Sequence, residues 1–251
     1  MKRILCLWCT FVFFAVVGCS SDKDVMEDDS LNEEMFLLQA NLAPEFSEGY
    51  NSFRDQTTTN IENDRTKITR DCNGCVTYAS FRNTPIKDRP STPAEFVSIF
   101  LGGDFTKKFQ QYRQQQDENG LIHEWYRQYY KDIEVEGKGF VFHYSKEDRI
   151  HSVNGSYLPV NDLDVRPAFS ADTARKIYAK YLNKPLEYAG LAILYIVEFP
   201  LSAESELWAP RLVYKLCVAS VDGEPYLSDE GQCYIDAKTG RILYVWPNYK
   251  Y

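Results

Sequence analysis

Apolar and polar residues alternate with a period of two, as expected of strands, in two separate groups of short segments. The segments are residues 122–130, 139–144 and 149–157 in the first group and residues 191–198, 210–220, 232–236 and 241–246 in the second. A segment with helical signals precedes each group. Antiparallel strands that follow a helix are typical of the α+β class. The sequence therefore predicts an α+β fold built from two similar modules.

The helix ahead of the first strand group has a clear start signal. Thr92 fits an N-cap, and Glu95 three residues later completes a capping box. Phe96, Ile99 and Phe100 follow at the i, i+3, i+4 spacing of one helical face. We expect these three side chains to face the sheet.

The helix ahead of the second strand group has the stronger periodicity. Ser170 is its expected N-cap, and Ala174, Ile177, Tyr178 and Tyr181 recur at i, i+3, i+4, i+7. We interpret this stripe as a face packed in the core.

A third helix is expected near the start of the chain. A Ser-x-x-Glu capping box begins at Ser30 and leads into residues 34–41. Met35, Leu38 and Phe36 are the apolar residues expected to face inward.

The first eighteen residues have the features of a secretory signal. Lys2 and Arg3 precede the apolar residues 4–17, a run shorter than the roughly 20 residues of a membrane-spanning helix. The Val-Val-Gly-Cys sequence that ends at Cys19 resembles a lipobox, in which the cysteine receives a diacylglycerol. An ordinary secretory signal that happens to contain a cysteine is the alternative. The sequence predicts a lipoprotein held to a membrane through Cys19.

The residues after Cys19 are polar and acidic, with an Asp-Lys-Asp run and a Glu-Asp-Asp run. Such a segment has little apolar surface to bury, so we expect a solvated tether. It resembles the acidic export signal of Bacteroidota lipoproteins that face outward from the outer membrane, and a plain charged linker is the alternative. The predicted location is therefore the outer membrane, with exposure at the cell surface.

Composition excludes one class of partner. The chain has a formal net charge of −8, and loss of Lys2 and Arg3 with the leader takes it to −10. Nucleic-acid-binding proteins normally present a basic face, so a nucleic-acid partner is not expected. The 44% hydrophobic and 15% aromatic content indicates a folded chain rather than a disordered one.

Four cysteines follow Cys19, and an even number in an exported protein predicts disulfides. Of the three possible connectivities, local pairing is the simplest: Cys72 with Cys75, and Cys217 with Cys233. The Cys-x-x-Cys spacing also occurs in thioredoxin-like redox sites and in half of a zinc knuckle. No second Cys/His pair of suitable spacing and no βαβ pattern accompany it, so a structural disulfide is the prediction.

Residues 92–160 resemble the fungalysin/thermolysin propeptide (FTP) domain. The resemblance lies in the stretch from His123 to Val135, in residues 139–143 and in the Val-Asn-Gly end of residues 150–155. The chain departs from the family at Asp132, where the family prefers glycine, and at Glu134, where it prefers proline.

Residues 163–248 resemble a PepSY domain. The matching piece is a closing hairpin, residues 234–243, that has Asp-Ala and then Thr-Gly between two apolar strands. The resulting boundaries are residues 1–18 for the signal peptide, 19–30 for the lipidated acidic tether, 31–91 for an N-terminal extension of uncertain fold, 92–160 for the FTP-like domain and 163–248 for the PepSY-like domain.

These resemblances imply two cystatin-like modules, each with a helix packed on an antiparallel sheet. Family members precede a thermolysin-like metalloprotease, assist its folding and inhibit it. The sequence has no His-Glu-x-x-His motif, so we expect a stand-alone, non-catalytic protein. Its implied function is to bind a secreted metalloprotease in trans and to inhibit or chaperone it. The alternative is a surface lipoprotein with a structural or ligand-binding role that reuses the fold.

No catalytic set stands out, and no cofactor or metal is expected. The candidates for metal ligation are His123, His143, His151 and the acidic pairs Asp162/Asp164 and Asp229/Glu230. The histidines lie on predicted strands and are interpreted as ordinary sheet residues. The acidic pairs lack the spacing of a calcium loop, so we interpret them as solvated turn residues.

Overall fold

The computed structural model of the chain describes residues 33–46, 59–62, 65–71, 74–201, 208–218 and 231–246. The strands are β1 (Thr59–Glu62), β2 (Lys67–Arg70), β3 (Val76–Ser80), β4 (Phe109–Gln116), β5 (Ile122–Tyr130), β6 (Ile133–Tyr144), β7 (Ile150–Ser156), β8 (Ile193–Pro200), β9 (Trp208–Leu216), β10 (Cys233–Asp236) and β11 (Ile242–Val245). The helices are α1 (residues 33–38), α2 (Pro93–Phe100), α3 (Phe105–Lys108) and α4 (Ala171–Tyr181). This mixture of a large sheet and few helices confirms the α+β class.

The long strand β6 connects two groups of strands. It pairs antiparallel with β5 along nearly its whole length, and its later residues pair antiparallel with β7 on the other side. Strands β4, β3, β2 and β1 complete that group. Near the start of β6, Val135 pairs in parallel with Ile196 of β8, and β9, β10 and β11 follow in order. We call β1–β7 the first sheet and β8–β11 the second sheet.

Helix α2 begins as the sequence predicts. The Thr92 side chain accepts a hydrogen bond from the Glu95 N–H at 3.2 Å, which confirms the N-cap. The Glu95 carboxylate accepts from the Ser91 N–H at 2.8 Å and from the Ser91 hydroxyl at 2.7 Å. The acidic side chain therefore reaches one residue beyond Thr92 and satisfies a backbone donor just ahead of the helix.

The buried face of α2 is rotated relative to the prediction. Phe96 and Val97 are fully buried, whereas Ile99 is 60% exposed, so its expected inward position is wrong. Phe96 meets Phe140 and Phe142 of β6 edge-on, at ring-centroid distances of 5.9 and 5.5 Å. The helix has only about two turns, and contact with the sheet rather than periodicity alone determines which arc is buried.

Helix α4 packs on the second sheet with the predicted stripe. The Ser170 hydroxyl accepts from the Thr173 N–H at 3.1 Å, and Ile177 and Tyr178 are fully buried. The Tyr178 hydroxyl donates to the Gly231 carbonyl oxygen at 2.6 Å, which satisfies the polar end of this buried ring. The expected N-cap and core face are both confirmed.

The N-terminal extension contributes to both sheets. Helix α1 packs on α4, where Phe36 is buried with its ring 4.6 Å from that of Phe169, and Glu33 forms an ion pair with Lys176 at 2.6 Å. Met35 and Leu38 are 52% and 60% exposed, so their predicted inward orientation is wrong. Farther along the chain, β1, β2 and β3 extend the first sheet beyond β7.

The two sheets are also joined by ion pairs. Glu136 of β6 pairs with Lys215 of β9, and the Tyr234 hydroxyl donates to the same carboxylate at 3.2 Å. Lys138 pairs with Glu198 of β8 at 3.4 Å. All four charged side chains are about one fifth exposed or less, so these contacts lie within the junction.

The structure contains no disulfide between Cys217 and Cys233. Cys233 is a buried thiol, and its partner across the β9–β10 ladder is Leu216 rather than Cys217. The two cysteines are thus one residue out of register, which is the physical reason that the predicted pairing is not formed. Cys75 is also a buried thiol, and its predicted partner Cys72 lies outside the described residues.

Candidate functional site

The first sheet has a free edge at β4. Asp104 caps the short helix α3 by accepting from the Thr106 N–H at 3.0 Å, and α3 leads directly into the strand. Phe109 anchors β4 in the core, where its ring stacks on that of Phe105 at 5.4 Å. The seven residues after Phe109 are all exposed, and among the described strands β4 pairs with β5 alone. Its outer side therefore presents backbone donors and acceptors.

This edge has few of the features that usually prevent strand addition. Residues 110–116 include no lysine or proline, and Arg113 is their one charged residue. The register shifts between Gln111 and Arg113, so a bulge at Tyr112 bends the strand. Edge strands are commonly protected by charged side chains, proline or bulges, and β4 has one charged residue and one bulge.

A tight turn connects β4 to β5 and orients an acidic side chain. Asp117 Oδ1 accepts from the N–H groups of Asn119 and Leu121, both at 2.9 Å. The Leu121 hydrogen bond is the main reason that the pKa of Asp117 is lowered. The second oxygen, Oδ2, lies 3.3 Å from His123 Nε2.

Two of the three histidines meet across neighbouring strands. His123 of β5 and His143 of β6 are cross-strand partners, and their Nδ1 atoms lie 2.6 Å apart. His143 Nε2 faces Asn154 Oδ1 at 2.6 Å, and burial lowers the pKa of His143. The third histidine, His151, has its Nδ1 3.4 Å from the Ser152 hydroxyl. Within the described ranges, no group of three or more His, Cys, Asp or Glu side chains could hold a metal ion.

Next to the histidine pair, arginines stack on aromatic rings. The Arg113 guanidinium lies 4.6 Å from the Trp125 ring centroid, and that of Arg127 lies 4.4 Å from the Tyr112 centroid. Arg127 also forms an ion pair with Glu134 at 3.1 Å. These side chains lie on the face of the first sheet opposite α2, which we call the open face.

A cavity of about 270 Å³ lies on the open face beside these rings. Its lining includes Trp125, Arg127, Gly139 and Gly155. A Cβ atom at Gly139 would lie 2.0 Å from the Tyr126 carbonyl oxygen, so only glycine permits the strands to approach this closely.

The inner face of the same strands contains a partly buried carboxylate with two tyrosine partners, which sequence reasoning missed. Glu124 accepts hydrogen bonds from the hydroxyls of Tyr126 and Tyr144 at 3.1 and 2.8 Å. Burial, with the carboxylate, raises the pKa of both tyrosines, so they remain protonated donors. The sequence does not show which residues of β5 and β6 lie side by side. The pairing of these two strands brings Glu124 and Tyr144 together, so their contact could not be predicted.

The predicted site residues are dispersed. Cys19 and the Asp229/Glu230 pair lie outside the described residues. Burial raises the pKa of the Cys75 thiol to about 11, with a further contribution from Asp71, so it is a poor nucleophile at neutral pH. Asp164 forms an ion pair with Lys238 at 2.7 Å, which is a structural contact.

Comparison with known proteins identifies one region. The family model described as the fungalysin/thermolysin propeptide motif matches residues 107–157, from the end of α3 to just beyond β7. The match therefore covers the free edge, the histidine pair and the open-face cavity. It is a match to a propeptide motif and not to a catalytic domain. No curated protein matches the chain. Among the helices of the described ranges, none is sufficiently long and apolar to cross a bilayer.

Proposed function

We propose that this protein is a non-catalytic, propeptide-like protein that binds a thermolysin-like metalloprotease in trans and inhibits or chaperones it. The observation that carries the proposal is the coincidence of the propeptide motif, residues 107–157, with the free edge of β4. The motif relates the chain to propeptides of thermolysin-like proteases. The edge supplies a physical means of contact with such a partner.

The contact would form by strand addition along β4. An exposed edge strand can pair with an extended segment of a second protein through backbone hydrogen bonds. Most of the side chains after Phe109 are neutral glutamines, so pairing would require the desolvation of few charges. Phe109, the first residue of β4, is buried in the same core cluster as Phe96 and Val97 of α2, which would anchor that end of the edge strand.

The proposal includes two cystatin-like modules, with the PepSY-like module at residues 163–248. Its support is that α2 and α4 each lie against antiparallel strands, of the first and the second sheet respectively. Only the first module has strands within the family match.

Location at the outer membrane is also part of the proposal. A lipid on Cys19, followed by an acidic tether, would hold the modules close to the membrane and at the cell surface. Metabolic labelling with a fatty-acid analogue, compared between the wild type and Cys19→Ala, tests this step. Loss of the label in the variant supports it, and equal labelling contradicts it.

The binding step is tested by refolding. The lipid-free chain, residues 20–251, contains every described residue and can be mixed with a denatured thermolysin-like metalloprotease from the same organism. We expect the yield of active protease to rise, or a stable complex to form in size-exclusion chromatography. An unchanged yield together with the absence of a complex, for every such protease of the organism, would contradict the proposal.

The open-face cavity favours a second candidate function, a surface lipoprotein that binds a ligand. Trp125 and Arg127 line the cavity together with glycines, and such sites commonly hold small molecules. Genomic context discriminates between the two functions: a neighbouring secreted protease without a propeptide favours the first, and a glycan-uptake cluster favours the second.

A further inference from the structure

A cavity of about 320 Å³ lies where β2 begins and β3 ends, in the part of the chain that precedes the family match. Among the described residues, its lining combines three cationic side chains with hydroxyl and amide groups and includes no carboxylate: Arg65, Thr66, Lys67, Tyr78, Ser80, Arg82 and Asn83. The whole chain has a formal net charge of −8, so this concentration of positive charge is local. A cleft lined by charge of one sign concentrates ions of the opposite sign, so the lining favours an anionic ligand.

Two paired strands form the floor of this cavity. Lys67 and Ser80 are cross-strand partners in the β2–β3 ladder. Their chain neighbours Ile68 and Ala79 are buried in the core cluster that includes α2. Because successive side chains of a strand point to opposite faces, Lys67 and Ser80 lie on the open face, and Tyr78 lies there with them.

A buried threonine joins the two chain segments that border the cavity. The Thr84 hydroxyl donates to the Arg65 carbonyl oxygen at 2.7 Å, and its Oγ1 lies 2.9 Å from that of Thr66. Arg89 holds the same loop, since its Nε donates to the Thr84 carbonyl oxygen at 2.8 Å and its Nη2 to the Arg82 carbonyl oxygen at 3.1 Å. The backbones that carry Arg65 and Arg82 are therefore fixed relative to each other, which lowers the entropic cost of holding a ligand between their side chains.

Arg82 supplies a charge that is available to a ligand. Its side chain is exposed, and no carboxylate of the described residues forms an ion pair with it. The guanidinium stays protonated at physiological pH, and its planar fork of N–H donors matches the oxygens of a phosphate or carboxylate. The positive potential extends to β7, because burial and then the charges of Arg82 and Arg89 lower the pKa of His151.

We propose that this cavity binds the phosphate group of a small phosphate monoester between Arg65, Lys67 and Arg82. A phosphate monoester carries a charge of about −1.5 to −2 at neutral pH and three acceptor oxygens, which match several cations better than the single charge of a carboxylate does. The volume is near the lower end of small-molecule sites, about 300 Å³, so it accommodates the phosphate with a short polar body. The Ser80 hydroxyl and the Asn83 amide line the space for that body.

The test uses the chain from residue 20 onward, which contains every described residue, and two probes that separate the possible sources of the phosphate. Glycerol 3-phosphate, titrated by calorimetry, represents a soluble ester. Vesicles of phosphatidylcholine with and without phosphatidate represent a lipid headgroup. We expect saturable binding of one probe, at one site per chain, that weakens as the salt concentration rises. Acetate should bind at least roughly tenfold more weakly than glycerol 3-phosphate.

Three substitutions that each remove one positive charge locate the site. Arg82→Gln and Lys67→Gln should each weaken binding roughly tenfold or more, because each removes a charged hydrogen-bond donor. The matched control is Arg166→Gln, whose side chain is 89% exposed in the segment before α4, and it should bind as the wild type does. All three side chains are exposed, so we expect each variant to keep the wild-type Tm.

Three results would overturn the proposal: neither probe binds saturably, acetate binds as tightly as glycerol 3-phosphate, or Arg166→Gln weakens binding as much as the two cavity variants do. Retention of wild-type affinity by both Arg82→Gln and Lys67→Gln would overturn it equally. None of these outcomes depends on protease binding, so failure here is distinct from failure of the proposed function.

Discussion

Gln128 and Leu158 are joined by two reciprocal hydrogen bonds between a side chain and the backbone. Gln128 Nε2 donates to the Leu158 carbonyl oxygen at 2.6 Å, and the Leu158 N–H donates to Gln128 Oε1 at 2.9 Å. Both residues are buried, with exposures of 2% and 4%. One glutamine thus satisfies both backbone groups of a residue in the segment that leaves β7.

Replacement of this glutamine should destabilise the fold strongly. Gln128→Met leaves a buried N–H and a buried carbonyl without partners, so we expect the free energy of unfolding to fall by about 3 kcal/mol. Urea denaturation measures the change. The matched control, Gln110→Met on the exposed edge strand, should alter it by less than about 0.5 kcal/mol. Equal effects at the two positions would contradict this role of Gln128.

The Glu136–Lys215 ion pair should show energetic coupling between the two sheets. Glu136 Oε2 is buried and has no hydrogen-bond partner within the described residues, so Lys215 is its principal compensation. Lys215→Met should destabilise the protein by about 1–3 kcal/mol, because it leaves a partly buried carboxylate without its cation.

A double-mutant cycle tests this coupling. Adding Glu136→Gln to Lys215→Met should recover part of the loss, since the uncompensated charge is then gone. Purely additive effects of the two substitutions in urea denaturation would show that the pair contributes nothing to the junction.

The fold class and the strand faces could be predicted because they depend on local periodicity. Phe140 and Phe142 are buried as the alternation predicts, and Ile177 and Tyr178 are buried as the helical stripe predicts. The inward positions of short helices could not be predicted in the same way. Ile99 is exposed and Val97 takes its place, because the helix contacts one sheet over a narrow arc.

The candidate site depends on strand register, which the sequence does not encode locally. His123 and His143 are twenty residues apart, and pairing of β5 with β6 brings them together. Knowledge of the register between β9 and β10 would likewise have placed Cys233 opposite Leu216 and not opposite Cys217. The extension of the first sheet by β1–β3 could not be foreseen either, because it depends on a long-range pairing between β3 and β7.

Stability should decrease as the pH is lowered toward the range in which histidine titrates. Burial lowers the pKa of His143 and His151 below their ordinary value of 6.5, so the unfolded chain binds protons at a higher pH than the folded chain. The contribution of the two neutral rings to the free energy of unfolding is complete above about pH 6.5. It is lost as the pH falls through the lowered pKa values of the folded protein.

Thermal unfolding between about pH 7.5 and about pH 5.5, with a chelator present, measures this dependence. We expect the decrease in Tm to be smaller for His143→Gln and smallest when His151→Gln is added. Parallel curves for the wild type and the double variant would show that the two rings do not account for the pH dependence.

The buried thiols should resist chemical labelling in the native protein. Cys75 is 7% exposed and Cys233 is fully buried, and burial raises the pKa of both thiols. We expect slow labelling of the folded chain and rapid labelling after unfolding in the absence of reductant. Failure of these thiols to react even after unfolding would favour the disulfides that the cysteine spacing predicts.

The edge strand offers a sharp test of how a partner binds. Successive N–H groups of a strand point to opposite sides, so Gln114→Pro and Gln115→Pro remove one donor facing β5 and one facing outward. One variant should be destabilised, and the other should retain wild-type stability because proline is tolerated at the free side of an edge. We expect the stable variant to bind the protease more weakly. Wild-type protease binding in that variant would exclude strand addition at this position.

Inhibition of a thermolysin-like metalloprotease from the same organism tests the central claim most directly. The measurement is the rate of peptide hydrolysis by the mature protease against increasing concentrations of the chain from residue 20 onward. The proposed function predicts that the rate falls in a saturable way, and that the stable proline variant at β4 inhibits less than the wild type. Hydrolysis that continues at its full rate in a large excess of the chain, for every such protease of the organism, would contradict inhibition in trans.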